Sequence, residues 1–255
     1  MKRARVFHRG RDVWATVSDE GASLRLATGE QIAVADAQWL PPITPAASAY
    51  ALGLNYADHN KELGFAPKLQ TPLIFLKGGN AFVGHEGQTP RPADGNQMHP
   101  ECELVAVIGR PAHKVKEADA LSYVAGYTIA NDYAIREYLE NYYRPNARVK
   151  NRDATTALGP WIVDAADVPD PQALGLRLSL NGEMVQDNFT SDMIFSVAEI
   201  ISHMSEFMAL VPGDVIATGT PEGVGMGMKP QRFLRVGDVM ELEIDGLGSQ
   251  RTEVI

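Results

Sequence analysis

Over residues 3–32 apolar and polar positions alternate in short runs, broken at Arg9-Gly10, Glu20-Gly21 and Thr28-Gly29-Glu30. A two-residue period between glycine-containing breaks predicts short strands. The cluster Pro41-Pro42-Ile43-Thr44-Pro45 marks a boundary, so a small β-rich region, residues 1–45, is expected ahead of a larger one, residues 46–255. In the larger region the apolar runs at 51–54, 73–77, 101–108, 124–130, 176–180 and 239–244 read as strands. Asn181-Gly182 joins the run 176–180 to 183–186 and predicts a hairpin, because both residues accept the positive φ of a tight turn. Asp245-Gly246 repeats that signal before Thr252-Glu253-Val254. Ser196-Val197-Ala198-Glu199 has the form of a capping box, and Val197, Ile200, Ile201, Met204 and Met208 continue from it as one helical stripe until Pro212-Gly213. Many strands and few helices predict a strand-rich, mixed α/β fold of the β-roll or sandwich type.

Composition narrows the classes. A chain of 255 residues and 27.7 kDa, 45% hydrophobic and 22% charged, can bury a core without disulfides or a structural metal. With 23 Lys and Arg against 32 Asp and Glu the net charge is −9, a field that repels phosphate backbones, so no nucleic-acid partner is expected. Cys102 is the single cysteine, which excludes an internal disulfide and a Cys-rich zinc site and suits a reducing cytoplasm. The charged start Met1-Lys2-Arg3-Ala4-Arg5 is followed by His8, Arg9, Arg11 and Asp12 instead of an apolar stretch, so no export signal is expected. Apolar runs such as 104–108 fall far short of the ~20 residues of a membrane-spanning helix, and no membrane association is expected.

Four groups of residues carry candidate chemistry. Glu101 and Glu103 flank Cys102 at the start of an apolar strand, and strand alternation puts both carboxylates on one face. Paired acids repel unless they share a proton or a cation; a solvated strand start is the plain alternative. Asp132 ends the apolar run 124–130, which can lie beside the first strand. Three carboxylates without a histidine favour Mg²⁺ or Mn²⁺ over zinc. His59 and Glu62, three residues apart on a short polar helix, suit a general base oriented by a carboxylate, although an exposed surface pair is the commoner meaning of that spacing. Arg136, Lys150 and Arg152 are cations that can meet an anionic substrate or form surface ion pairs. The loop Thr218-Gly219-Thr220-Pro221-Glu222-Gly223-Val224-Gly225 follows a strand, and its hydroxyls and N–H groups can hold a carboxylate. Gly223-Val224-Gly225-Met226-Gly227 is no dinucleotide loop, since Lys229-Pro230 precludes the helix such a loop must start. No G-x-S-x-G, P-loop or H-E-x-x-H motif occurs. His99, before Pro100, reads as a turn histidine, and Cys102 as a small buried residue.

In order, Gly53-Leu54-Asn55-Tyr56-Ala57-Asp58-His59, Phe75-Leu76-Lys77, Glu101-x-Glu103, Gly126-Tyr127 through Asp132, Lys150, Gly159-Pro160 and Thr218-Gly219-Thr220-Pro221-Glu222-Gly223 resemble the fumarylacetoacetate hydrolase family over residues 50–248. The resemblance implies that family's β-roll, a homodimer, and Mg²⁺ or Mn²⁺ on Glu101, Glu103 and Asp132. It further implies His59 and Glu62 as a catalytic dyad on a lid, Lys150 nearby, and Arg136, Lys77 and Thr220 as substrate contacts. The segment 130–146 is similar to the decarboxylase half of homoprotocatechuate-pathway isomerase/decarboxylases. Pro100, where such relatives usually carry an aromatic residue, and an extended segment 226–235 are departures that bear on the substrate.

The implied substrate is a small anionic 2-oxo acid whose keto and carboxylate oxygens chelate the metal. Stabilised negative charge on the keto oxygen serves three outcomes: decarboxylation, isomerisation and, with activated water on a 1,3-dicarbonyl, carbon–carbon hydrolysis. Decarboxylation of 5-oxopent-3-ene-1,2,5-tricarboxylate is the expectation, with isomerisation of the dienoate beside it. Acylpyruvate hydrolysis is the alternative within the family. A metal-stabilised binding protein without turnover is the alternative outside it.

Overall fold

The computed structural model describes residues 1–18, 20–65, 70–139 and 147–255. Its larger sheet orders neighbouring strands as Gln31–Ala33, Ser23–Leu26, Arg11–Val17, Lys2–His8, Thr156–Asp164, Val124–Asp132, Cys102–Ile108, Val215–Ala217, Ala49–Gly53 and Leu73–Lys77. Gln38–Leu40 joins Lys2–His8, and Phe82–Val83 joins Thr156–Asp164. A second sheet runs Glu183–Phe189, Gly175–Leu180, Val239–Ile244, Gly248–Val254 and Gly87–Thr89. This is the expected strand-rich mixed α/β architecture. The N-terminal strands are continuous with the rest: Ala4 lies opposite Trp161 in the larger sheet.

Cys102–Ile108 is buried along its whole length because both faces are covered. Leu104, Ala106 and Ile108 belong to one apolar cluster with Leu176, Leu178 and Leu242 of the second sheet. Val105 and Val107 face the other way, in a cluster with Leu158 and Ile162. A strand covered on both sides reads as a continuous apolar run, which is how 104–108 reads. Asn181 and Gly182 take φ of 54° and 81°, the left-handed pair that closes the hairpin between Gly175–Leu180 and Glu183–Phe189. The helix Val197–Phe207 starts at the capping box, with the Ser196 side chain accepting from Glu199 N–H and Glu199 Oε2 accepting from Ser196 N–H. It buries Val197, Ile200, Ile201 and Met204, and it ends at Phe207, ahead of Pro212-Gly213.

Thr156–Asp164 is a central strand that periodicity does not mark, because Gly159-Pro160 interrupts it. The sheet absorbs the proline at an irregularity: Ile129 pairs with Gly159 but Tyr127 pairs with Val163, so three residues bulge against one. A bulge is where a strand tolerates a missing N–H. No helix among the described residues is long and apolar enough to cross a membrane.

Strand directions gather the candidate residues. Cys102–Ile108 is antiparallel to both Val124–Asp132 and Val215–Ala217, and Val215–Ala217 is parallel to Ala49–Gly53. The start of the first strand therefore meets the ends of the other three. Residues 101–103, 132, 218–220 and 54–62 all follow from those ends.

Candidate functional site

Register brings the acids together. Cys102 pairs with Asn131 and Glu103 with Ala130, and Asp132 N–H donates to the Glu101 carbonyl at 2.9 Å, so Glu101 and Asp132 face each other across the ladder. Glu103 lies two residues on, on the same face. Oxygens of Glu101, Glu103 and Asp132 lie within 4.8 Å of one another, and all three residues are buried. Cys102 points into the apolar cluster behind them.

Three cations surround the acids. Lys150, closing the short helix Ala147–Lys150, reaches Glu101 Oε2 at 2.6 Å and the Asp132 carbonyl at 2.8 Å. Lys77, ending the edge strand, donates to Asp132 Oδ1 at 2.6 Å and to the Lys150 carbonyl. Arg136 Nη2 donates to Glu101 Oε1 at 3.0 Å. Burial alone would raise the Glu101 carboxyl, but Lys150, the His99 hydrogen bond and Arg136 together hold it well below the usual carboxylate range. Burial also opposes the charge on Lys150, yet Asp132 and Glu101 outweigh it and raise the ammonium. Lys77 goes the other way: burial lowers it in spite of Asp132.

Glu103 is the least compensated of the three acids. Burial, then the Asp132 charge, push its carboxyl well above the usual range, with Lys150 offsetting part. Its Oε2 accepts one N–H, from Gly219 at 3.0 Å. Asp132 Oδ2 lies 3.1 Å from Lys150 Nζ without making a hydrogen bond. Buried oxygens left short of partners, in an all-oxygen donor set, fit a hard divalent cation such as Mg²⁺ or Mn²⁺.

The helix Ala57–Glu62 brings His59 to a cavity that Glu101 and Lys150 also line. His59 is 3% exposed, and its Nδ1 is 3.2 Å from Glu62 Oε2. A carboxylate only accepts, so Nδ1 carries the proton and Nε2 remains for proton transfer. Asn55 anchors the segment through Thr218 O at 2.8 Å and Phe195 N–H at 2.9 Å. His59, Glu101, Arg136, Lys150 and Thr220 line a cavity of about 40 Å³ with Leu52, Leu54, Leu73, Phe75 and Leu139 as its apolar wall. Residues 66–69 of the expected lid and 140–146 of the similar segment lie outside the described residues.

The structure thus gathers nine of the residues singled out in the sequence: His59, Glu62, Lys150, Glu101, Glu103, Asp132, Arg136, Lys77 and Thr220; Arg152, the third candidate cation, lies instead against the Tyr138 ring. Two more belong with them. His99, read as a turn residue, is fully buried, 3.3 Å from Glu101 Oε1 and 3.0 Å from Arg136 Nε, and its Nδ1 accepts from Met226 N–H at 3.3 Å. Burial pushes it down to about 4, so the imidazole is neutral at pH 7. The period-two series His99, Glu101, Glu103 was the available signal. Gln186 cross-links the acid strand to the 218–225 loop: Oε1 accepts from Cys102 N–H at 3.0 Å, and Nε2 donates to Thr220 Oγ1 and the Pro221 carbonyl, each at 3.0 Å. A polar residue beyond a hairpin turn gives no sequence signal for that role.

The fumarylacetoacetate (FAA) hydrolase C-terminal profile matches residues 48–255. The chain belongs to the fumarylacetoacetate hydrolase family. It is 52% identical over 214 residues to a 4-hydroxyphenylacetate degradation bifunctional isomerase/decarboxylase of Salmonella dublin, covering 84% of this chain and 48% of that protein. The chain therefore spans about half the length of that family relative. A 5-carboxymethyl-2-hydroxymuconate delta-isomerase from Mycobacterium smegmatis matches with a TM-score of 0.86 at 33% identity, over 100% of this chain and 98% of that one. Fumarylpyruvate hydrolase from Pseudomonas aeruginosa, in complex with Mn²⁺ and pyruvate, matches with a TM-score of 0.76 at 32% identity, over 84% of this chain and 91% of that one. The family contains enzymes of more than one reaction type, and the chain is an enzyme of this family.

Proposed function

We propose that this chain is a divalent-metal-dependent carbon–carbon lyase that decarboxylates a small 2-oxo acid of aromatic catabolism and isomerises the related dienoate. The observation that carries this reading is the buried cluster Glu101, Glu103 and Asp132, whose three carboxyl groups equal in number the cations Lys77, Lys150 and Arg136 that bond to Asp132 and Glu101. A divalent cation on these carboxylates leaves the centre with an excess of about two positive charges, which suits a dianionic substrate end. The likeness to the Salmonella isomerase/decarboxylase supports the reaction class.

A bound Mg²⁺ or Mn²⁺ supplies Lewis-acid stabilisation of the negative charge that builds on a keto oxygen as carbon dioxide leaves. The chain's own residues do the rest. Arg136 and Lys150, which line the cavity, orient and neutralise the substrate carboxylate. The Thr220 hydroxyl, held by Gln186, offers a further polar contact. His59 Nε2 moves the proton, and Glu62 fixes the tautomer from the other side of the ring. Lys77 meets Asp132 and the Lys150 carbonyl, a position from which it holds the acid cluster in place. The leucines and Phe75 of the wall keep water from the reacting carbons.

Hydrolysis of an acylpyruvate is the second reading, favoured by the likeness to fumarylpyruvate hydrolase. Carbon dioxide release from 5-oxopent-3-ene-1,2,5-tricarboxylate, measured with Mg²⁺, with Mn²⁺ and with chelator, tests the first against the second. Metal-dependent release supports decarboxylation. Cleavage of acetylpyruvate to acetate and pyruvate, with no release from the tricarboxylate, replaces it with the hydrolase.

A further inference from the structure

Glycines recur at 223, 225 and 227 in the loop beyond Pro221, and the reasons differ from one to the next. A Cβ at Gly223, where φ is +98°, would fall 2.1 Å from the Val185 carbonyl oxygen; at Gly225 it would fall 1.8 Å from that of Arg232. Both are close backbone approaches that only glycine permits. At Gly227 the obstacle is a side chain. A Cβ there would fall 2.0 Å from both Cγ and Cδ of Glu62 and 2.2 Å from its Oε1. Gly227 is half-buried, and its φ lies outside the left-handed region. Its backbone accepts alanine; its surroundings do not.

The same loop binds Glu62 by a second contact. Gly223 N–H donates to Glu62 Oε1 at 3.0 Å, while Oε2 takes the His59 Nδ1 proton at 3.2 Å. The carboxylate is held between a donor at 223 and the space left at 227. We propose that Gly227 is a positioning residue: the volume it leaves open fixes where the Glu62 carboxylate lies, and through it the tautomer and orientation of His59. This rests on the reading of His59 and Glu62 as the proton-transfer pair. The extended segment 226–235 is then part of that pair's support, with Arg232 N–H on the Gly225 carbonyl at 3.0 Å and Leu234 N–H on the Met98 carbonyl at 2.8 Å. Because the clash at 227 is with the Glu62 side chain from Cγ outward and not with backbone, an added methyl displaces the carboxylate without unfolding the loop. A displacement of about 1 Å can cost ~10²-fold in rate.

Two measurements on the full chain test this: a double-mutant cycle of thermal melting over Gly227→Ala and Glu62→Ala, and long-range ¹H–¹⁵N spectra of the His59 ring. Gly227→Ala should lower Tm when Glu62 is present and leave it unchanged in the Glu62→Ala background. It should also move the His59 ring ¹⁵N shifts in the direction that Glu62→Gln moves them. Should Gly227→Ala fail to fold, folding of the double variant supports the proposal, and its failure overturns it. Additive melting changes, or wild-type His59 shifts in Gly227→Ala, overturn the proposal while Glu62→Gln still moves those shifts. If Glu62→Gln leaves the shifts unmoved as well, the pair itself is wrong and the positioning role falls with it.

Discussion

Asp132 N–H donates to the Glu101 carbonyl at 2.9 Å, so the ladder between the two strands is locked at the pair that carries two of the three acids. Backbone register thereby brings these side chains to one place. The acids converge on one face of the sheet, and the cost of that convergence falls unequally. Glu101 has Lys150, Arg136 and His99 as partners; Glu103 has the Gly219 N–H.

Glu103→Gln should therefore leave the metal-free protein as stable as the wild type or more so, since it removes the carboxylate that burial and its acidic neighbours disfavour. It should lose the stabilisation that Mg²⁺ gives the wild type, about 2.7 kcal/mol at a concentration ~100 times Kd. Thermal melts with and without Mg²⁺ check both. A variant that melts lower without metal and still gains with it contradicts the account.

Lys150→Met should behave in the opposite sense. It removes the cation shared by Glu101 and Asp132 and leaves buried charge uncompensated, at a cost of roughly 3–5 kcal/mol. Denaturant titration of the metal-free protein reads the loss. Added Mg²⁺ should recover part of it, because the cation takes over the missing positive charge.

His59→Ala and Glu62→Gln should each lower kcat by ~10² to 10⁴, the usual share of a placed general acid or base. Affinity for Mn²⁺ should stay at the wild-type value, as neither residue belongs to the cluster Glu101, Glu103 and Asp132. Wild-type turnover in both variants would reduce the pair to a structural contact.

His85 gives a pH dependence away from the centre. Its Nδ1 accepts from Arg251 N–H at 3.0 Å, and burial lowers its pKa, with Glu86 opposing. A histidine whose folded pKa is depressed contributes stability that is present above its unfolded pKa, ~6.5, and lost as pH falls through that value towards the folded one. Wild-type melting should therefore fall more between pH 8 and pH 5 than that of His85→Gln. Equal falls in the two proteins would contradict the assignment.

Much of this site could be read from the sequence because its signals are local. Glu101-x-Glu103 on an apolar strand and His59 three residues before Glu62 on a short helix each fix a shared face by periodicity alone. What escaped depends on pairing between distant segments. The Thr156–Asp164 strand was hidden by Pro160, whose bulge exists only in the sheet with Val124–Asp132. His99 was masked by Pro100, although alternation puts it on the face of Glu101. Gln186 acts through Cys102 and Thr220, residues 84 and 34 positions away, and nothing in its own neighbourhood announces that.

Every role proposed for this site depends on Glu101, Glu103 and Asp132 holding one divalent cation. Calorimetric titration of Mn²⁺ into the metal-free wild type and into Glu103→Gln tests it most directly. One site per chain is expected in the wild type, with an affinity at least ~10²-fold weaker in the variant, more than loss of a supporting contact usually costs. Equal affinity in the two proteins would contradict it.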